Sequence, residues 1–380
     1  MIVKRLLLLL TGIFALNNTN AQRFQPSTTL MGQQHNNVLY GERDIAADTA
    51  GIYLDKNGII YPKVRIPNDE LRAANSSLQE WYRGNEKEFV EIARGYNCNF
   101  ESYSDINAAI LNDSIVETVV RRLNIAPTNT ITFLIHGFRK PFAAQNGDSS
   151  SPEDFETLAA TFQRFNSTQT KIVSVYWDAL YGCCFSASSK KNRPLFELFE
   201  LAQAHAEKAG NTLRKIASKI STDTLNVVSH SLGAKVALHA LLDISPVTSD
   251  TPTNTRVNIG LIAPAISGDM IIENYMKRRP NNDISSTDNY HLYIVYNEDD
   301  FVLQKKDNRI GIFGPGPYRY GNTTLGCNYK GAALKLQSKF NSLFKFSDIK
   351  LYDLSRVGKC HLVSCYCYGN NLERVLVDMK

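Results

Sequence analysis

The chain has 380 residues, 43% hydrophobic and 21% charged, enough for one large domain or two small ones around a sizeable core. Its formal charge of +5 comes from 42 basic and 37 acidic side chains spread along the sequence. No lysine–arginine block forms a nucleic-acid surface, so a nucleic-acid partner is not expected.

The N-terminus reads as a secretory signal. Lys4 and Arg5 precede a short apolar stretch, Leu6 to Leu16, and Thr19-Asn20-Ala21 presents small residues for cleavage before Gln22. The apolar stretch is too short to span a bilayer comfortably, and no cysteine follows it to carry a lipid anchor. Residues 1–21 are therefore assigned as a signal peptide. The mature protein is expected to be exported, periplasmic or secreted, with no transmembrane segment once the signal is removed.

Residues 22 to about 50 are polar and aperiodic, an N-terminal arm. Gly51–Leu54 and Ile59–Tyr61 flank Asp55-Lys56-Asn57-Gly58, which predicts a hairpin of two short strands. Pro67-Asn68-Asp69-Glu70 opens a helical region in which Leu78, Trp81, Tyr82, Phe89, Val90, Ile92 and Ala93 recur at helical spacing, with a break near Gly84-Asn85. A further helix starts near Ser104-Asp105, with Ile106, Ala109, Ile110, Ile115, Val116, Val119, Val120 and Leu123 on one face. Pro127 marks a boundary, so residues 22–126 form an extension of hairpin and helices packed on a core of residues 127–380.

From there strands and helices alternate. Strands are predicted at Ile131–Ile135, Lys171–Tyr176, Leu225–Val228, Val257–Ala263, His291–Tyr296 and Ile349–Leu354. Helices are predicted from Ser151 to about Phe165, from Phe196 to Ile220 and from Ala234 to Leu242. This order implies an α/β fold, a doubly wound and mostly parallel sheet with helices on both faces. Gly311 to Gly326, rich in glycine, proline and tyrosine, reads as a long loop; Trp177, Tyr318 and Tyr320 are assigned to packing before any pocket.

Seven cysteines make disulfides plausible in an exported chain, and the odd number leaves at least one thiol outside any pairing within the chain. Cys183-Cys184 are adjacent, and Cys360, Cys365 and Cys367 cluster beside His361. That cluster fits no standard zinc spacing, and no metal is assigned. The pairing is not readable from the sequence.

The chemistry centres on Ser229-His230-Ser231-Leu232-Gly233, which lies between an apolar strand and a helix. A strand, a sharp turn and a helix with serine at the tip form the context of a nucleophile elbow. The usual G-x-S-x-G has Ser229 in place of its first glycine, and serine is small enough for the tight turn. Ser231 is the nucleophile. A serine hydroxyl needs a base, a group to orient that base, and donors for the oxyanion. Ile131 to Ile135 runs into His136-Gly137-Phe138, so the oxyanion donors are the N–H groups of Phe138 and Leu232. Gly137 lets backbone approach the substrate, and His136 is given a hydrogen-bonding role within the loop. The acid should end a later strand, where Glu298-Asp299-Asp300 stand; Asp300 is chosen, with Asp299 as runner-up. The base should follow the acid, and His361 is the only histidine after Asp300. His230 is excluded as the base because neighbouring side chains diverge across an elbow. Ser229 and Gly233 support the turn.

These residues resemble the α/β-hydrolase superfamily, and within it a bacterial esterase- or lipase-like group of unassigned function. The resemblance rests on Leu134–Phe138, Val173–Trp177, Val227–Gly233, Ile262–Ala265, Tyr296–Leu303, and His361 with the trailing Leu376-Val377-Asp378, and spans roughly residues 127–380. In that group the acid precedes an apolar pair in the manner of Asp300-Phe301-Val302-Leu303, which favours Asp300 over Asp299. The resemblance implies the α/β-hydrolase fold and a Ser-His-Asp triad, and leaves the substrate open. The expectation is a serine hydrolase without cofactor, cleaving an ester or related acyl bond of a small-molecule or lipid-like substrate. The alternatives are a non-catalytic binding protein on the same fold, or a serine peptidase.

Overall fold

The computed structural model of the chain describes residues 49–62, 64, 66, 77–125, 128–138, 150–165, 170–179, 193–242, 255–278, 290–304, 323–343 and 348–380. The assigned signal peptide, nearly all of the N-terminal arm, the Pro67–Glu70 helix start, Cys183-Cys184, Tyr318 and Tyr320 lie outside the described residues.

Among the described residues seven strands form one sheet: β1 (Thr49–Leu54), β2 (Thr130–Ile135), β3 (Thr170–Trp177), β4 (Thr224–His230), β5 (Arg256–Ile262), β6 (Tyr290–Tyr296) and β7 (Asp348–Asp353). Their order is β1-β3-β2-β4-β5-β6-β7, and every neighbouring pair is parallel. The central strands are buried at almost every position, as near-continuous apolar runs require when helices cover both faces.

The helices are α1 (Leu78–Gly84), α2 (Glu86–Gly95), α3 (Asp105–Ile125), α4 (Ser151–Phe165), α5 (Arg193–Ala217), α6 (Gly233–Leu241), α7 (Gly268–Arg278), α8 (Ala332–Leu343), α9 (Val363–Cys367) and α10 (Glu373–Asp378). Helices α3, α5, α6, α7 and α8 pack in succession as one layer, while α4 packs against α9 and α10 in another. An α/β architecture with a parallel sheet is the result.

Two expectations change. The Asn-Gly turn reverses the chain, with Asp55 N–H donating to Ile59 O at 3.0 Å and Tyr61 N–H to Tyr53 O at 3.0 Å. The second arm then makes only an antiparallel bridge, Leu54 to Ile60, so no second strand forms. The first arm instead pairs along its length with β3, as a parallel edge strand of the main sheet. In α3, Ile106 is 74% and Ile110 45% exposed, and Ala109 is exposed too. The buried stripe runs through Ala108, Leu111, Ile115, Val116, Val119, Val120 and Leu123. Ile106 and Ile110 are apolar but lie more than a quarter-turn round the helix from the stripe that its second half sets.

Because all strands are parallel, their C-terminal ends share one edge. The chain leaves β2 towards β3 on one side and leaves β4 towards β5 on the other. Loops that diverge in this way open a crevice at the carboxyl ends of the two strands, the usual ligand position in such sheets. The β2–β4 boundary is where Gly137 and Ser231 stand.

Candidate active site

Ser231 follows β4 directly and carries φ = 52°, in the left-handed region that a residue with a Cβ rarely adopts. Such a backbone costs about 1–3 kcal/mol and persists only where its surroundings hold it. Here Ser231 N–H donates to Ile262 O at 3.0 Å, and Ser231 O accepts from Ala265 N at 3.0 Å and Ala234 N at 3.2 Å. The end of β5 therefore grips the turn from one side. From the other side the end of β2 presses close. A Cβ on Gly233 would lie 2.5 Å from His136 O, and one on Gly137 would lie 2.8 Å from the Ser231 Cβ. Ser229, in the place of the pattern's first glycine, is fully buried and its hydroxyl donates to Gly260 O at 3.4 Å.

Three residues distant in the chain meet at this point. His361 Nε2 lies 3.0 Å from Ser231 Oγ, and His361 Nδ1 lies 2.6 Å from Asp300 Oδ2. A carboxylate only accepts, so Nδ1 carries the imidazole proton and Nε2 is left to accept from the serine hydroxyl. Asp300 is fully buried, and its other oxygen, Oδ1, accepts from Val302 N at 2.9 Å and Leu303 N at 3.1 Å. A buried carboxylate needs such donors. Its neighbours differ: Asp299 is exposed, and Glu298 Oε1 accepts from Asn328 Nδ2 at 2.9 Å. The structure thus joins Asp300, and not Asp299, to His361.

His361 sits in a loop held on several sides. Cys360 and Cys365 form a disulfide across it. Asn297, fully buried at the end of β6, donates through Nδ2 to Gly358 O at 2.8 Å and Cys360 O at 3.2 Å. His230 Nε2–H donates to the carbonyl of His361 at 2.8 Å, and the two rings stand 4.7 Å apart. His230 is therefore engaged with the backbone of residue 361 and does not face the serine hydroxyl through that nitrogen. Tyr366, from α9, donates to Asp300 Oδ2 at 3.1 Å.

The loop after β2 lies against the elbow. His136 Nδ1–H donates to Gly137 O at 2.9 Å, and its Nε2 accepts from Trp177 N at 3.2 Å. Trp177 Nε1–H donates to His136 O at 2.9 Å, with the two rings stacked. Both ring nitrogens of His136 are thus used in holding the β2 and β3 ends together, and Trp177 is fully buried in that role. Phe138 packs its ring edge-on against Phe199 of α5 at 5.3 Å. Leu232 is the last residue before α6, so its N–H is one of the donors at a helix start that no carbonyl within the helix can accept.

Sequence reasoning named the three meeting residues but missed Tyr366, Asn297 and the contact of His230. Nothing in the sequence marks Tyr366, because its approach to Asp300 depends on the Cys360–Cys365 closure. Cys367, the third cysteine of that cluster, is a buried free thiol, which burial pushes up to about 12. Among the described residues no helix is long and apolar enough to cross a membrane. Neither the protein-family models nor the curated proteins compared with the chain give a match.

Proposed function

We propose that the chain is an exported serine hydrolase of the α/β-hydrolase fold, acting on an ester or related acyl bond. One observation carries the reading. Ser231, His361 and Asp300 stand in a hydrogen-bonded line of 3.0 and 2.6 Å at the carboxyl edge of a parallel sheet, with the serine on a strained turn. Ser231 Oγ attacks the carbonyl while His361 Nε2 takes its proton. Asp300 keeps the imidazole in the tautomer that can do so and stabilises the imidazolium. The N–H groups of Phe138 and Leu232 receive the oxyanion. His361 then protonates the leaving group, and water, activated by the same imidazole, releases the acyl group from Ser231. Export is supported by the basic-then-apolar N-terminus and by the Cys360–Cys365 disulfide, since such bonds persist in oxidising compartments.

A fluorophosphonate probe tests the reading directly. Labelling at Ser231, with short acyl esters hydrolysed by the wild type and not by Ser231→Ala, is the expected outcome. Folded protein that neither labels nor hydrolyses these esters is a binding protein on this fold. Faster cleavage of matched amides than of esters makes it a peptidase.

A further inference from the structure

We propose, resting on the triad reading above, that Tyr366 is a positioning residue of this site: its hydroxyl holds the Asp300 carboxylate in the orientation that serves His361. The same oxygen, Oδ2, accepts from His361 Nδ1 at 2.6 Å and from Tyr366 OH at 3.1 Å. The other oxygen is taken by Val302 N and Leu303 N. Each carboxylate oxygen offers about two lone pairs, so four donors saturate the group. Rotating the carboxylate about its Cβ–Cγ bond then breaks several charge-assisted bonds at once, each stronger than a neutral one.

The placement of the phenol couples acid and base. Tyr366 lies next to Cys365, and the Cys360–Cys365 disulfide closes the segment that begins immediately before His361. One short stretch of chain therefore delivers both the base and the donor that orients its acid. Asp300 comes from the loop after β6, so Oδ2 is one point at which that stretch is registered on the sheet, beside the bonds from Asn297 and His230. The ring of Tyr366 is fully buried, and a phenylalanine would fill the same space. Packing accounts for the ring; the hydroxyl is accounted for by polar groups, donating to Asp300 at 3.1 Å, bonding to the Asn297 side chain as well, and lying 3.4 Å from Cys360 O. Burial first, and the charge of Asp300 second, push the phenol well above its ordinary range, so it remains a donor wherever the enzyme works.

Tyr366→Phe removes one oxygen and tests this. In the folded variant kcat for a short acyl ester falls about tenfold, equivalent to about 1.4 kcal/mol of transition-state stabilisation, with KM nearly unchanged. The acidic limb of the kcat/KM profile moves to higher pH, because Asp300 with one donor fewer keeps more charge to hold the imidazolium. A folded variant with wild-type kcat and an unmoved limb overturns the proposal, and so does a variant whose only change is a lower Tm. The low-field proton signal of His361 Nδ1–H reads the same contact without turnover. A displaced signal in Tyr366→Phe supports the role of Tyr366, and an identical one refutes it. Failure of the hydrolase reading looks different: the wild type itself shows no turnover that depends on Ser231.

Discussion

Asp300→Asn exchanges one buried oxygen for an amide NH2, and the structure determines which one. Val302 N and Leu303 N both donate to Oδ1, so the amide oxygen stays on that side, where two N–H groups need an acceptor. The NH2 then faces His361 and Tyr366 in the position of Oδ2. Tyr366 can turn its proton to Cys360 O, 3.4 Å away, and accept from the amide. His361 has no such freedom. It must offer a lone pair at Nδ1, which sends its proton to Nε2, facing Ser231 Oγ at 3.0 Å. A base that already holds its proton cannot take another, and a wrong tautomer of this kind costs about 10⁴ in kcat, or about 5 kcal/mol at 1.36 kcal/mol per decade. The assay is hydrolysis of a short acyl ester near neutral pH, with the rate of fluorophosphonate labelling at Ser231 as a second measure and Tm as the folding control. Asp299→Asn, at an exposed carboxylate, leaves the rate near wild type. A folded Asp300→Asn variant within tenfold of wild type, or an Asp299→Asn variant as crippled as this one should be, refutes the reasoning.

Gly137→Ala places a Cβ 2.8 Å from the Ser231 Cβ and 3.2 Å from His230 Nδ1 and O, so the β2 loop must retreat by up to about 1 Å; misplacement on that scale costs about 10²-fold in kcat, and a folded variant within twofold of wild type would falsify the close-approach argument. Replacing Cys360 and Cys365 together by serine opens a loop with sequence separation 5 and removes about 2 kcal/mol of stability by loop-closure entropy. Both Tm and ester hydrolysis then fall, whereas unchanged values in the double variant count against a holding role for the bridge. Asp55 is wholly buried, and burial raises its carboxyl to about 6 against the bonds it accepts from Leu78, Ile59 and Asn57 N–H. Between roughly pH 4 and pH 6 the folded state retains this proton while the unfolded state releases it, so stability falls as pH rises, by about 3 kcal/mol in all. Urea unfolding at pH 4 and pH 7 checks the sign: Asp55→Asn should lose about that much of the pH dependence, and an equal slope in variant and wild type rules the assignment out.

The sheet was legible because its strands are buried on both faces. Ile131–Ile135, Leu225–Val228 and Val257–Ala263 are apolar runs whose order between helices allows little else, and each proved to be the core of β2, β4 or β5. The edge strand β7 was legible too, from Ile349–Leu354, whereas at the other edge the pattern found the strand and not its partner. Gly51–Leu54 showed a turn signal that was correct about the reversal and silent about the partner, since nothing within ten residues announces pairing with Ile172–Trp177. The first turns of α3 failed for a different reason. Ile106 and Ile110 obey a helical period, but phase is set by what the helix packs on, and exposed isoleucines cost too little to be excluded.

The site divides along the same line. Ser231 and His361 could be found because the proposed nucleophile, acid and base each follow a strand in chain order, and that order left one histidine. Asp300 could be told from Asp299 only by the apolar pair behind it. The geometry gives that clue a physical cause: Leu303 is buried and Val302 packs against the core, which draws the turn inward, and the backbone N–H groups of these two residues then donate to the carboxylate that is buried with them. The side chains that hold the base in place left no such trace. His230 reaches the His361 carbonyl around the back of the elbow, and Asn297 reaches two carbonyls more than sixty residues on. Neither contact has a spacing rule, because each depends on where the segment around the Cys360–Cys365 disulfide lies against the sheet. Groups that follow strands can be read from order along the chain, whereas their alignment depends on long-range contacts between the disulfide-closed loop and the sheet ends, and that is why Tyr366 had to be found in space.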